Sequence, residues 1–316
     1  MTGYMEGYQQ VIVDGPFLTR RAYEANGLQA LLGASLGTLI GLMRTYEPVD
    51  LYVAWEPMVT ATPAREVIWE DYKRDRKRPS DEYYDGLRML QDEILPHLGI
   101  LQAWPALQDM GRGEAPVVGE ADDVAATLVR QDMVFTSLLW SADKDWLQLV
   151  GGAEGSEVCH LLRPAVGKSE AVLVTPQNIR TTTGLTADEW THVLALAGDR
   201  TDWIPGLPQV GRQRAEQLLR ACPDIVALAI AGDEDTIVRQ IASADPSMGR
   251  WGQVAIDHGD LLAASLELVR LRTVPIDVRY PEPDLDLAQA WCDAHQIDLP
   301  WDTVAGLLGP SDDEPL

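Results

Sequence analysis

Apolar residues in this chain follow two rhythms. Short β-branched runs, "QVIVDG" (10–15), "DLYVAWEP" (50–57) and "VFTSLLWSADKD" (134–145), read as buried strands, and each ends at or near a carboxylate. Between them, about 28–46 and "DEYYDGLRMLQDEILPHL" (81–98) repeat at helical spacing, and a further helix opens at "GEADDVAATL" (119–128). Strands alternating with helices predict an α/β fold with a mostly parallel sheet. After residue 150 the rhythm changes. "SEVCHLLRP" and "SEAVLVTP" read as a hairpin, and nearly everything from 186 onward is helical, with "PGLPQVG" as a turn between helices. Residues 275–287 are rich in Pro and Asp, and "GPSDDEPL" reads as an acidic tail.

Composition narrows the function classes. The 316 residues, 46% of them hydrophobic, can bury a substantial core in one large domain or two ordinary ones. The net charge of −24, from 49 acidic and 25 basic residues, repels nucleic acid in bulk, so any nucleic-acid site must be a local basic patch. The three cysteines, Cys159, Cys222 and Cys292, form no CxxC, and the five histidines form no ligand pair, which argues against zinc and fits reduced thiols. The start lacks the basic and apolar regions of a signal peptide. "LQALLGASLGTLIGLM" (28–43) is short and interrupted for a membrane span, so we expect a buried helix, no membrane and a cytoplasmic protein.

The acidic residues supply the chemistry. In open α/β sheets, ligands bind beyond the carboxyl ends of the strands. Asp14, Glu56, Asp143 and Asp145 fall at predicted strand ends, and Glu120, Asp122 and Asp123 at a helix start on the same edge. "AGDRTD" adds Asp199 and Asp202, three apart on one side of a helical turn. Independent helix caps and surface acids would explain each alone, since acids near a helix start are stabilised by its dipole. Nine converging carboxylates would instead demand a counter-cation. Oxygen donors without histidine or cysteine favour Mg²⁺ or Mn²⁺, and two such ions about 3.5–4 Å apart suit phosphodiester hydrolysis. Other motifs fail: "VGKSE" (166–170) has Leu162 where a P-loop needs glycine, and GxGxxG is absent.

"VIVDG", "GEADDVAATL", "SADKDWLQLV" and "LTADEWTHVLALAGDRTDWIPGLPQVG" resemble, in order and spacing, the 5′-nuclease family of phage flap endonucleases/5′–3′ exonucleases and the 5′-nuclease domain of bacterial DNA polymerase I. The resemblance runs over about 10–275 and implies a parallel-sheet, PIN-like 5′-nuclease core at 1–184 with a helical arch at about 58–85. A helical duplex-binding region follows at 185–275, with a helix-hairpin-helix at 199–220, then a C-terminal helical segment and acidic tail at 276–316. It implies two Mg²⁺ (or Mn²⁺) held by Asp14, Glu56, Glu120, Asp122, Asp123, Asp143, Asp145, Asp199 and Asp202. Glu56 stands where the family has Asp.

The same resemblance makes Arg65, Lys73 and Arg76 of "AREVIWEDYKRDR" phosphate contacts and gives Arg21 of "RRAYEA" a place near the scissile phosphate. Tyr72 and Trp69 are aromatic residues available for base stacking, with core packing the competing role for Trp69. In "PGLPQVGRQRAEQLL" the turn glycines Gly206 and Gly211, with Arg212 and Arg214, would grip a duplex backbone. Gln209, Gln213, Arg214 and Trp203 depart from the family pattern there, which leaves a monovalent cation in the turn open. The implied activity is hydrolysis of DNA with 5′ single-stranded ends or flaps, giving 5′-phosphates. With no polymerase domain following, the chain reads as a free-standing, phage-type enzyme, acting in the host cytoplasm if phage-encoded. A ribonuclease H-like action on RNA–DNA hybrids, a catalytically idle DNA-structure-binding protein and an acidic metabolite-binding protein are the alternatives.

Overall fold

The computed structural model describes residues 7–57, 62–109, 116–131, 135–151 and 158–308. Its strands are β1 (Gln10–Asp14), β2 (Asp50–Ala54), β3 (Thr62–Pro63), β4 (Leu101–Pro105), β5 (Val117–Val118), β6 (Ser137–Trp140), β7 (Cys159–Arg163), β8 (Val172–Val174) and β9 (Ile276–Arg279). Seven of them form one sheet in the order β8-β7-β6-β1-β2-β4-β9, and β3 pairs with β5 beside it. β1 is central, parallel to both β2 and β6, and every one of its residues is buried. Burial on both faces is why Val11, Ile12 and Val13 run without polar alternation. The expected hairpin is β7 with antiparallel β8.

Two elements differ from expectation. The first helix, α1 (Gly15–Tyr46), starts directly after β1 rather than near 28. Asp14 caps it by accepting from the Phe17 amide, and Pro16 lies in its first turn, where a missing N–H costs nothing. A break at Asn26–Gly27, with Gly27 at φ +66°, bends the run. At 32 residues α1 is long and apolar enough to cross a membrane, but its Leu31, Leu32, Leu36 and Leu39 stripe is packed into the core. The second difference is β9. Residues 276–279, expected in a C-terminal helical segment, turn back and pair antiparallel with β4 as an edge strand.

Two cores flank the sheet. On one face, Val124 and Val129 of α4 (Ala121–Gln131) join Trp146, Leu194, Leu218 and Leu262, tying the later helices to the sheet. On the other, α1 packs with α3 (Asp81–Arg88), Leu90, Ile94 and residues of the helices Leu285–Ala294 and Trp301–Leu308. The helices Ala187–Ala197 and Arg212–Ala221 are joined by the turn that carries Asp199 and Asp202, which places this turn beside the carboxyl ends of β1 and β6.

Candidate active site

Strand order decides which acids meet. β1, β2 and β6 lie side by side and parallel, so Asp14, Glu56 and Asp143 leave the sheet at one edge. There they line a cleft of about 690 Å³ together with Asp122, Asp145, Asp199 and Asp202. Local bonds fix several of them. Asp14 accepts from the Phe17 amide at 2.9 Å and from the Ser141 hydroxyl at 2.5 Å. Asp143 accepts from the Asp145 amide, and Asp122 from the Trp146 indole N–H at 2.7 Å. Asp199 accepts from the Thr201 amide and pairs with Lys144.

These groups are electrostatically crowded. Burial pushes Asp14 up to about 7, and the neighbouring Asp143 charge adds to that. Asp145 also rises to about 7, through burial and then Asp143. Asp122 is raised well above the usual carboxylate range by burial, Asp143 and Asp14, and burial raises Glu56 and Asp202 as well. Asp199 goes the other way: burial opposes its charge, but the Lys144 bond outweighs that and lowers it. Carboxylate oxygens of Asp145, Asp199 and Asp202 lie within 4.8 Å of one another, and Asp145 Oδ1 is buried without a hydrogen-bond partner. An oxygen-only donor set with an unpartnered buried oxygen fits a hard divalent cation.

Two expected ligands do not face the cleft. Asp123 is 1% exposed, and Arg65 holds both its oxygens at 2.7 and 2.8 Å while the Glu120 and Arg272 amides donate to it. Its carboxylate is therefore a buried counterion. Glu120 accepts from Lys73 on Oε1 and from Arg65 and Tyr72 on Oε2. Burial would raise its carboxyl, yet Lys73 and Arg65 prevail and bring it to about 2.

Arg65 and Tyr72 correct the expectation of DNA contact, because both are sealed inside. Arg65 is 3% exposed and also donates to the Leu268 and Arg270 carbonyls, so α2 (Ala64–Ile68) is pinned to the helix Gly259–Val269. Tyr72 is 4% exposed with its hydroxyl on Glu120. Trp69 packs against the core. Of the expected arch, residues 58–61 lie outside the described residues.

Three of the expected basic residues do reach the cleft. Lys73 and Arg76 line it, Arg76 lies 3.9 Å from Glu56, and Arg21 stands exposed on its wall. The tight bend there leaves Lys73 at φ +52°, with its amide donating to the Asp202 carbonyl, so the basic loop is fastened to the 199–204 turn. Arg74 stacks 3.4 Å from the Trp203 ring, which gives that departure from the family pattern a packing role. Sequence reading missed Arg20, Lys144 and Arg163, all of which line the cleft. Arg20 and Lys144 adjoin residues already singled out. Arg163, at the end of β7, becomes visible only once strand order is known.

In the hairpin, Gly206 is not a phosphate-facing glycine. It is buried at φ +58°, and a Cβ there would come within 2.2 Å of the Gly198 amide nitrogen. Gly211 is exposed with open space where a Cβ would go, and it caps the helix Arg212–Ala221. Arg212 pairs with Glu216 over the Trp190 ring, and Arg214 lies 4.2 Å from the Trp251 ring; both remain exposed.

Comparison with known proteins fits this arrangement. The sequence model of the 5′-3′ exonuclease, N-terminal resolvase-like domain matches residues 9–184. Flap endonuclease Xni of Shewanella oneidensis is 27% identical over 276 residues, covering 85% of this chain and 92% of Xni. Thermostable DNA polymerase I of Thermus filiformis is 28% identical over 297 residues, 89% of this chain, which spans only 31% of that polymerase. T5 5′-exonuclease, solved with divalent zinc bound, superposes with a TM-score of 0.60 at 18% identity, covering 95% of this chain and 96% of that one. The fold is shared.

Proposed function

The chain belongs to the 5′-3′ exonuclease family, whose N-terminal domain accounts for residues 9–184, and from that premise we propose that it is a divalent-metal-dependent 5′-nuclease acting on DNA with 5′ single-stranded ends or flaps. The observation that carries this reading is the meeting of seven carboxylates, with a buried unpartnered Asp145 oxygen, beneath a rim of Lys73, Arg76, Arg20 and Arg21. Acids alone fit many metal sites, but an anionic substrate needs the cationic rim as well.

Two Mg²⁺ or Mn²⁺ ions would be held by Asp145, Asp199 and Asp202 and by Asp14, Asp122 and Asp143. Bound there, they would supply acidification of water and neutralisation of phosphoryl charge. The protein's own part is to position and to neutralise. Lys73, held by Glu120, presents a fixed ammonium at the cleft wall. Arg76, Arg20 and Arg21 offer guanidinium groups to the phosphates on either side of the scissile bond. Hydrolysis would leave 5′-phosphate and 3′-hydroxyl ends. The region 185–275 would take the duplex through the exposed Gly211 turn, Arg212 and Arg214, in a division of labour with the 1–184 core. The free, buried cysteines are compatible with action in the cytoplasm.

The test is cleavage of a labelled 5′-flap DNA in Mg²⁺, beside EDTA and the Asp143→Asn variant. Cutting near the junction that needs the metal and is lost in the variant, with DNA binding kept, is the expected result. A folded protein that cuts nothing in Mg²⁺ or Mn²⁺ would overturn the reading.

A further inference from the structure

Arg163 lines the acid cleft but neutralises no acid in it. Lys73, Arg76 and Lys144 are each committed to a carboxylate, on Glu120, Glu56 and Asp199. Among the described residues Arg163 forms no ion pair, although it borders the same cleft as those acids. Its Nη2 donates to the Ala142 carbonyl at 3.0 Å, and its Nε is buried without an acceptor. A guanidinium carries five donors, and a buried one left unmet is costly.

The sheet fixes where this cation stands. Leu162 of β7 is in register with Trp140 of β6, which is in register with Val13 of β1. The next residues, Arg163, Ser141 and Asp14, therefore leave the sheet at one level. The Ser141 amide donates to the Leu162 carbonyl, and its hydroxyl donates to Asp14 and accepts from the Asp143 amide. Leu162 and Arg163 thus hold the two residues that precede Asp143, which aims one nitrogen of Arg163 and leaves the others uncommitted. Beyond Arg163, the β7–β8 hairpin is closed by bonds between Val166 and Ser169 in both directions, and Val166 also lines the cleft. At the opposite end of the same edge, Arg76 stands by Glu56, just past β2. Three strand spacings, roughly 14 Å, separate β7 from β2, so a single phosphate cannot reach both arginines.

We propose that Arg163 is a substrate-contacting residue, whose guanidinium takes a phosphate of the cut strand at the β7 end of the cleft, across the acids from Arg76. The inference rests on the nuclease reading above. A cleft rich in carboxylates repels a polyanion, and Lys73 and Arg76 offset that repulsion at one end only. Arg163 offsets it at the other. Its bond to Ala142 keeps it from folding back onto the acids, and a phosphate oxygen gives its unmet donors an acceptor.

The experiment measures single-turnover cleavage, in Mg²⁺, of 5′-flap DNAs in which one phosphate at a time on either side of the scissile bond is made a neutral methylphosphonate. Arg163→Gln removes the charge but keeps a donor for Ala142, and Arg163→Lys keeps the charge. With the wild-type protein, neutralising the contacted phosphate should slow cleavage about tenfold, the order that one charge-assisted hydrogen bond supplies. Arg163→Gln should cut the unmodified flap about tenfold slower and be indifferent to that one position, while every other position keeps its effect. Its affinity should also depend less on salt, the slope of log affinity against log salt falling by about one. Arg163→Lys should restore the sensitivity at that position. A wild-type rate in Arg163→Gln, or a slow Arg163→Gln in which every position keeps its full effect, would overturn the contact and leave the nuclease intact. A wild-type protein that cuts no flap would overturn the nuclease reading and this one with it.

Discussion

Lys73 Nζ lies 2.7 Å from Glu120 Oε1, and the other oxygen of that carboxylate is held by Arg65 and Tyr72. Glu120 thus links a cation at the cleft wall to a buried scaffold. Burial disfavours charge on Lys73, but Glu120 outweighs it and holds the ammonium well above its ordinary value. Lys73 therefore stays charged at any working pH. Replacing it by Ala should slow flap cleavage by about 10²-fold, the scale of one preorganised charge-stabilising donor. Single-turnover rates and flap affinity measured together will check this, with affinity expected to change far less than rate.

Arg65 should behave as a folding residue. Its removal leaves Asp123 and half of Glu120 buried without a counter-charge, and breaking a buried pair in this way typically costs about 3–5 kcal/mol. Urea denaturation of Arg65→Met should show that loss, and no salt-dependent change in DNA affinity should accompany it beyond the unfolded fraction. A stable Arg65→Met protein with weakened DNA binding would restore the phosphate contact to this residue.

Asp145→Asn should act in opposite directions on two observables. It removes one charge from a site where burial and Asp143 oppose ionisation, so the metal-free protein should melt higher. It also removes a carboxylate from the Asp145, Asp199 and Asp202 trio proposed to hold an ion, so the rise in melting temperature on adding Mg²⁺ should shrink. Melting curves in EDTA and in Mg²⁺ measure both. A lower melting temperature in EDTA would mean that the trio is held by something other than repulsion.

The pH profile follows from two sets of carboxyls. Asp14 and Asp145 titrate near 7 in the folded, metal-free chain, against about 3.9 when unfolded. The folded form thus keeps protons that the unfolded form has lost, and stability should fall as pH rises from about 4 to about 7 and then level off. Glu120 is opposite: lowered to about 2, it contributes stability above its unfolded value near 4.3 that disappears as pH falls toward 2. Urea midpoints in EDTA between pH 5 and 8 should therefore decline, and Mg²⁺ should stabilise more at pH 8 than at pH 6. A flat series would contradict the assignment of both aspartates.

The two hairpin glycines separate packing from contact. Gly206→Ala must displace the Gly198 backbone, so it should lower the melting temperature and DNA affinity together. Gly211→Ala meets open space at an ordinary φ of −94° and should leave the melting temperature unchanged. Duplex affinity lost in Gly211→Ala alone would locate the phosphate approach there.

Much of this was legible in residue order. Strands ending at Asp14, near Glu56 and before Asp143 announce themselves by β-branched runs, and a parallel sheet then brings their ends together. β4 and β9 were not legible. "LQAWP" is five residues with a polar Gln102 in second place, and "IDVR" is a half-exposed edge strand set in a Pro- and Asp-rich stretch. Spacing also cannot say which way a carboxylate turns. Asp122 and Asp123 are neighbours on one helical turn, yet one faces the cleft and the other faces Arg65. The decisive fact for Asp123 lies 58 residues upstream, in a basic residue whose type gives no sign of its burial.

The return of residues 276–279 to β4 has a consequence for anyone who would shorten this protein. A chain cut at 275 would strip β4 of its outer partner and remove Arg279 from the Trp104 ring and from Gln91. The bared strand would then offer its amides and carbonyls to a second copy of itself. A shortened protein made that way would keep every carboxylate and every arginine of the cleft, and would be lost to aggregation.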